Sequence, residues 1–238
     1  MKLTNKLIAY PMKIGRRVIT RGPVDTARWL MSHIEENRQE SKLNVATSSK
    51  VEVDELGFDS ECHGYEPISY TCFNRILEEL EIRPDQEVFL DYGCGRGRAV
   101  VIAATRRFKR VLGLELSHEL SESARENIDR AQKHLQCSDV EIVTANACDY
   151  TVPDDVSMIF LWNSFQGSVL ESVIERIRES AANAPRKLQI IYVLPHGEDN
   201  VMQRTPWLSH QKQVHTSFWS GVDMNIFEVD CDMAAGSN

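Results

Sequence analysis

The sequence lacks any apolar run long enough to cross a membrane, since a transmembrane helix needs about 20 consecutive apolar residues. The apolar stretch at residues 7–12 is too short for a signal-peptide core and is interrupted by Pro11. We therefore expect a cytoplasmic protein.

Cysteines at metal-binding spacing are also missing. The chain has six cysteines, but no C-x-x-C pair and no Cys/His cluster with the spacing of a zinc site. Paired aspartates with an asparagine in a metal-site arrangement are not found either. We predict reduced thiols and no metal dependence. The cysteines are Cys62, Cys72, Cys94, Cys137, Cys148 and Cys231.

The chain has no overall excess of basic charge. Its 27 Lys and Arg residues face 35 Asp and Glu residues, for a net charge of −8, which argues against binding nucleic acid by general phosphate neutralisation. The charge is segregated, however, because residues 1–30 carry seven basic side chains and one acid. This basic N-terminal arm is either a partner-binding segment, for RNA, an acidic partner or an anionic membrane surface, or a solvated helical extension.

The arm is followed by an acidic connection. Residues 52–66 contain six acids and no Lys or Arg, and Gly57 and Gly64 punctuate the segment. A length of 238 residues suits one domain with an appendage. We predict a basic extension and acidic connection over residues 1–60 and a single domain over residues 61–238.

Short apolar runs alternate with amphipathic segments along the second part of the chain, which is typical of βαβ units and a parallel sheet. Two further candidate strands near the end are separated by Ser220, Gly221, Val222 and Asp223, which suits a hairpin. We predict an α/β, Rossmann-like fold with a mostly parallel seven-stranded sheet, a C-terminal antiparallel hairpin and a helical N-terminal extension. The predicted strands are 87–92, 110–116, 140–144, 158–162, 188–193, 214–219 and 224–229, and the predicted helices include 69–82, 98–105 and 117–135.

A glycine-rich motif directly follows the first predicted strand. Asp91, Gly93, Gly95 and Gly97 fit Asp-x-Gly-x-Gly-x-Gly, whereas a nicotinamide-type Gly-x-Gly-x-x-Gly would need glycine where Arg98 stands. In a doubly wound sheet this loop lies at the carboxyl ends of the strands, where ligands bind. The glycines allow a ligand to approach the backbone, and Asp91 can accept from an ammonium group.

Two acids follow later strands. Glu115 ends the second predicted strand, where a carboxylate can accept from both hydroxyls of a ribose; the alternative is an ordinary strand-end acid. Asp149 follows the third strand and can accept from an adenine amino group; the alternative is a turn aspartate.

From about residue 65 to 165 the chain resembles the class I S-adenosylmethionine (SAM) dependent methyltransferases, and most closely a bacterial branch related to the non-SET histone lysine methyltransferases. The segments that carry the resemblance are Gly64-Tyr65-Glu66-Pro67, residues 89–98, residues 111–117 and Asn163-Ser164-Phe165. The resemblance implies SAM as cofactor and S-adenosylhomocysteine as product. It also implies that Tyr65 and Glu66 lie in a loop over the cofactor, although Tyr65 can equally be a core anchor.

The resemblance further suggests an acceptor site after the fourth strand. Asn163-Ser164-Phe165 is similar to the Asn-Pro-Pro-aromatic motif of many N-methyltransferases, without its prolines. The resemblance implies that Asn163 orients a nitrogen nucleophile beside the cofactor and that Phe165 forms one wall of the acceptor slot. A simple turn is the alternative. His196, after the fifth strand, is a candidate base or a loop histidine. The acceptor is expected to be a protein side chain or small amine. An O-methyltransferase for a small metabolite and a non-catalytic SAM-binding regulatory subunit are the alternatives.

Overall fold

The computed structural model describes residues 18–51, 64–162, 165–194, 201–215 and 223–236. The chain divides into two compact units, residues 1–42 and 43–238. The predicted boundary at residue 60 lies outside the described residues and stays a prediction.

The described part of the first unit is mainly one helix, α1 (Pro23–Leu43). Pro23 suits the first helical position, because the N–H that proline lacks would have no partner within the helix there. The carbonyl of Gly22 accepts from both the N–H and the hydroxyl of Thr26, over 3.1 and 2.8 Å. Val24, Met31 and Ile34 are exposed on α1.

In the second unit, the described residues form one seven-stranded sheet with the order β3-β2-β1-β4-β5-β7-β6. Strands β1 to β5 are parallel, and β7 is antiparallel to both β5 and β6. This arrangement confirms the predicted mostly parallel sheet with a C-terminal antiparallel hairpin. The strands are β1 (Val88–Tyr92), β2 (Arg110–Glu115), β3 (Val140–Thr144), β4 (Met158–Trp162), β5 (Gln189–Leu194), β6 (Leu208–His215) and β7 (Asp223–Val229).

Helices cover both faces of the sheet, which explains why the central strands are continuous apolar runs. One apolar core contains Phe73, Phe89 and Phe160, and the other contains Leu90, Ile159 and Ile177. The helices of this unit are α2 (Tyr70–Glu78), α3 (Arg98–Ala104), α4 (His118–Ala131), α5 (Gly167–Asn183), α6 (Val201–Arg204) and α7 (Cys231–Gly236). Helices α2, α3 and α4 contribute to the first core, and α5 and α7 to the second.

Three predicted boundaries were wrong by several residues. Helix α2 ends at Glu78 rather than 82, although Leu80 beyond it is buried and so extended the apolar pattern. After Ala131, α4 gives way to a 3₁₀ turn over Gln132–His134. Strand β6 begins at Leu208 rather than 214; it lies at the edge of the sheet and its middle residues are exposed, so it lacks the apolar alternation on which the prediction depended.

Within the described residues, no helix is long and apolar enough to span a membrane. The five cysteines in these ranges are free thiols. The same ranges contain no group of three or more His, Cys, Asp or Glu residues arranged to hold a metal ion.

Strand order creates a crevice beside β1. The chain passes from β1 outward through β2 and β3, and then returns to β4 on the other side of β1. In such sheets ligands bind outside the carboxyl ends of the strands at this point of reversal. The residues that follow β1 and β4 therefore define the place to look for a site.

Candidate active site

The loop between β1 and α3 is built by its glycines. Gly93, Gly95 and Gly97 have φ angles of +77°, +54° and +77°, a region that side chains rarely allow. The N–H of Gly93 donates to the carbonyl of Leu114 over 2.8 Å. A Cβ on Gly97 would stand 3.0 Å from the Cβ of Ala124 in α4. The glycines thus permit both the turn and the close packing of α4.

Glu115, at the end of β2, is bound to the glycine loop. Its Oε2 accepts from the N–H of Gly95 and its Oε1 accepts from the N–H of Ser117, both over 2.9 Å. Burial raises the pKa of the Glu115 carboxyl, while these backbone hydrogen bonds act in the opposite direction. A carboxylate has about four acceptor positions, so Glu115 is fixed in orientation and can still accept from a ligand.

Asp91 lies in β1 and is almost completely buried. Burial, together with the nearby Glu115 carboxylate, raises the pKa of Asp91 to about 8. Two neighbouring buried carboxyl groups repel each other when both are ionised. A cationic ligand in this crevice would remove that repulsion, which gives the site an electrostatic preference for positive charge.

A segment before α2 covers the glycine loop. We call residues 45–51 and 64–69 the strap; its two branches meet at an antiparallel bridge, where the N–H of Val51 donates to the carbonyl of Tyr65 over 3.1 Å. The ring of Tyr65 packs on Gly95, and its hydroxyl donates to the carbonyl of Thr47 over 2.8 Å. Tyr65 therefore anchors one branch of the strap to the other and packs on the glycine loop.

Glu66 links the strap to the end of β4. The indole N–H of Trp162 donates to the backbone carbonyl of Glu66 over 2.8 Å, while the Glu66 side chain is exposed and pairs with Lys50. The strap therefore contacts the glycine loop after β1 and Trp162 at the end of β4.

Two buried polar residues that were not predicted from the sequence hold the strap. Arg98, 3% exposed, donates from Nε to Thr47 Oγ1 over 2.7 Å and from Nη1 to the carbonyl of Ile68 over 2.9 Å. Asn127 in α4 accepts from the N–H of Ala46 over 2.9 Å. The only sequence signal was polar residues on otherwise apolar helix faces.

The residues after β4 are partly described. Phe165 packs edge-to-face on Tyr92 of β1, with ring centroids 6.4 Å apart, and adds to the apolar core below the crevice. Asn163 lies outside the described residues, between Trp162 and Phe165. His196, after β5, also lies outside them.

Asp149 lies in an exposed turn after β3. Its side chain accepts from Nδ2 of Asn146 over 3.0 Å, and its N–H donates to the Asn146 carbonyl over 3.1 Å. Asp149 thus lies in a turn with Asn146, and its exposed carboxylate is accessible to a ligand at the carboxyl edge of the sheet.

Comparisons with known proteins agree with this geometry. Residues 89–184 match the model of a methyltransferase domain. No curated protein sequence is significantly similar to the chain.

Solved structures share the fold. An RNA methyltransferase from Salinibacter ruber, in complex with S-adenosyl-L-homocysteine, is 18% identical, with a TM-score of 0.50 over 68% of this chain and 93% of that one. The candidate methyltransferase yhhF from Escherichia coli is 13% identical, with a TM-score of 0.57 over 77% of this chain and 99% of that one. At these identities the likeness concerns the fold.

The strand order and the helices on both faces define a class I methyltransferase fold. The matched methyltransferase domain begins in β1 and includes the glycine loop and Glu115. The chain therefore contains a methyltransferase domain over residues 89–184.

Proposed function

We propose that this enzyme transfers the methyl group of SAM to a nitrogen atom of a protein side chain or small amine. The observation that carries the proposal is the anchoring of aromatic residues on both sides of Asn163. Trp162 is tied to the Glu66 carbonyl, and Phe165 packs on Tyr92. The amide of Asn163 follows β4 in sequence, between these two fixed points, and its carbonyl is an acceptor for an amine N–H.

SAM is assigned to the crevice at the glycine loop. Its sulfonium and ammonium groups suit the electrostatic preference created by Asp91 and Glu115. We assign the ammonium group to Asp91, the ribose hydroxyls to Glu115 and the adenine amino group to Asp149. Gly93, Gly95 and Gly97 allow the backbone to approach the cofactor, and Tyr65 and Glu66 cover it as part of the strap.

Methyl transfer from a sulfonium is an in-line displacement, so the protein mainly aligns the donor with the acceptor and excludes water. An amine must also lose a proton before it attacks. We assign alignment to Asn163 and one wall of the acceptor slot to Phe165, with His196 as a candidate base. The resemblance to the lysine methyltransferase branch favours a lysine side chain among possible amines.

The Asn163→Ala variant tests the nitrogen assignment, with Ser164→Ala as the matched control from the neighbouring position. We expect Asn163→Ala to bind SAM with a dissociation constant close to the wild-type value. Transfer to acceptor should fall about a hundredfold, in the range lost when one oriented hydrogen-bonding group is removed from an active site. Ser164→Ala should retain transfer.

Full transfer by Asn163→Ala would overturn the assignment. Loss of transfer on changing His196, with Asn163 dispensable, would favour O-methylation of a small metabolite instead.

The basic arm at residues 1–30 is proposed to contact an acidic partner, and deleting it should weaken capture of that partner without changing SAM affinity.

A further inference from the structure

The guanidinium of Arg98 donates hydrogen bonds to both branches of the strap. Nε and Nη2 donate to the hydroxyls of Thr47 and Ser48 over 2.7 and 2.8 Å, in the first branch. Nη1 donates to the carbonyl of Ile68 over 2.9 Å, in the second branch. The Arg98 guanidinium also lies 4.6 Å from the ring centroid of Tyr70, at the start of α2. One buried side chain therefore fixes the separation of the two branches.

The position of Arg98 in the sequence links its hydrogen bonds to the strap with the cofactor site. Arg98 is the first residue of α3 and directly follows Gly97, so its backbone belongs to the end of the glycine loop. Its side chain thus connects the loop that binds the donor with the strap that covers it. Asn127 makes a second connection of the same kind, since its Nδ2 donates to the Arg96 carbonyl over 3.0 Å and its Oδ1 accepts from the N–H of Ala46.

The strap carries two groups at the crevice. Tyr65 lies on Gly95, and the Glu66 carbonyl receives the indole N–H of Trp162. Tyr65 forms the bridge to Val51 and Glu66 directly follows it. Both residues precede Ile68, whose carbonyl accepts from Arg98. A shift of the strap would move the cover over the glycine loop and the contact at β4 together.

We infer that Arg98 is a positioning residue for SAM: its fork of hydrogen bonds to Thr47, Ser48 and Ile68 sets the strap over the glycine loop and so determines SAM affinity. The inference rests on the proposed placement of SAM under the strap. The planar guanidinium is required because its donors diverge in a fixed geometry, whereas a lysine ammonium is a single compact group that cannot reach the same three acceptors at once.

The experiment compares Arg98→Lys with Arg186→Lys in the full chain. Arg186 is a matched control, because it also makes several donor contacts to loop and helix carbonyls, including those of Val156 and Ala184 over 2.6 and 2.8 Å. These contacts stabilise the opposite core, next to α5. Calorimetric titration with SAM gives the dissociation constant, and thermal unfolding without SAM gives the loss of stability.

We expect the dissociation constant for SAM to rise about tenfold or more in Arg98→Lys, the effect of losing one hydrogen bond to a charged group. In Arg186→Lys it should stay within about twofold of wild type at a similar loss of stability. Thr47→Val, which removes one acceptor of Arg98 and keeps the side-chain shape, should give a smaller rise. Thr47→Val should add little to the rise when Arg98 is already Lys, as expected for interacting partners.

Equal SAM affinity in wild type, Arg98→Lys and Thr47→Val would overturn the inference and leave the methyltransferase assignment intact. Thr47→Val carries the same test if Arg98→Lys does not fold. Failure of the wild-type protein to bind SAM would overturn both. Transfer of methyl groups to an atom other than nitrogen would contradict the proposed function alone, since the comparison of SAM affinities does not depend on the acceptor.

Discussion

The ring of Tyr65 lies so close over Gly95 that a Cβ added to Gly95 would stand 2.0 Å from Cδ2 and 2.2 Å from Cε2 of that ring. Contacts this short between carbon atoms are not possible, so any side chain at this position must displace the Tyr65 ring. Gly95 is required both for its φ of +54° and for the space above it.

Replacing Gly95 with alanine should therefore abolish SAM binding. The left-handed backbone alone costs about 1–2 kcal/mol for a residue with a Cβ, and displacement of Tyr65 adds to this. Gly22→Ala is the control: Gly22 also has a positive φ, of +85°, but no heavy atom of the described residues lies within 4 Å of the added Cβ. Titration with SAM and thermal unfolding should show lost stability in both variants and lost SAM affinity only in Gly95→Ala.

Asp91 makes SAM affinity depend on pH. Its pKa in the folded protein, about 8, exceeds the value near 4 of an unfolded aspartate, so the folded state binds more protons between these values. Stability without SAM should fall as pH rises from about 4 to 8. Binding of an ammonium group favours the ionised carboxylate, so SAM affinity should rise as pH approaches and passes 8.

Asp91→Asn provides the check on this pH dependence. The variant should bind SAM weakly and lose the fall in SAM-free stability between pH 6 and 8, because the amide does not titrate. Calorimetry and thermal unfolding at pH 6, 7 and 8.5 measure both effects. A wild-type SAM affinity that stays constant over this range would contradict the assignment of the ammonium group to Asp91.

Glu115→Gln should weaken SAM binding by about tenfold or more. The two carboxylate oxygens of Glu115 accept from the N–H groups of Gly95 and Ser117, whereas the glutamine amide has only one acceptor oxygen. The NH₂ group of the glutamine would face a backbone N–H. Glu126→Gln in α4 is a suitable control, since Glu126 is an exposed partner of Arg130. If both variants bound SAM like the wild type, Glu115 would be an ordinary strand-end acid.

Trp162→Phe should separate acceptor alignment from donor binding. Phenylalanine retains an aromatic ring at the end of β4 but cannot donate to the Glu66 carbonyl. We expect the rate of methyl transfer to fall more than SAM affinity, because the strap is still held by Arg98. Trp207→Phe, in the core on the other face of the sheet, controls for general loss of indole packing. A parallel fall of SAM affinity and transfer rate would argue against this separation.

The sequence predicts the central sheet well because β1, β4 and β5 are short apolar runs that helices bury on both faces. The places of Glu115 at the end of β2 and of the glycines after β1 were also predictable from the strand pattern, while the ligand contacts assigned to these residues stay predictions. Strand β6 was placed too late because its exposed polar residues carry no periodic signal.

The strap contacts could not be predicted in the same way. Arg98 meets Thr47 across 51 positions of sequence, and Asn127 meets Ala46 across 81. Neither pair forms a local motif, and an arginine at the start of a helix is usually exposed. Only the folded structure shows that the side chains of Arg98 and Asn127 are buried and hydrogen-bonded to the strap.

The most direct test of the account is incubation of the purified protein with methyl-labelled SAM and a cell extract, followed by separation into protein, nucleic-acid and small-molecule fractions. We predict label in the protein or small-amine fraction, recovered after acid hydrolysis as a methylated amine and reduced in Asn163→Ala. Binding of SAM without label in any fraction would contradict the catalytic account and favour a SAM-binding regulatory subunit. Label confined to nucleic acid or to a methylated oxygen would contradict nitrogen of a protein side chain or small amine as the acceptor.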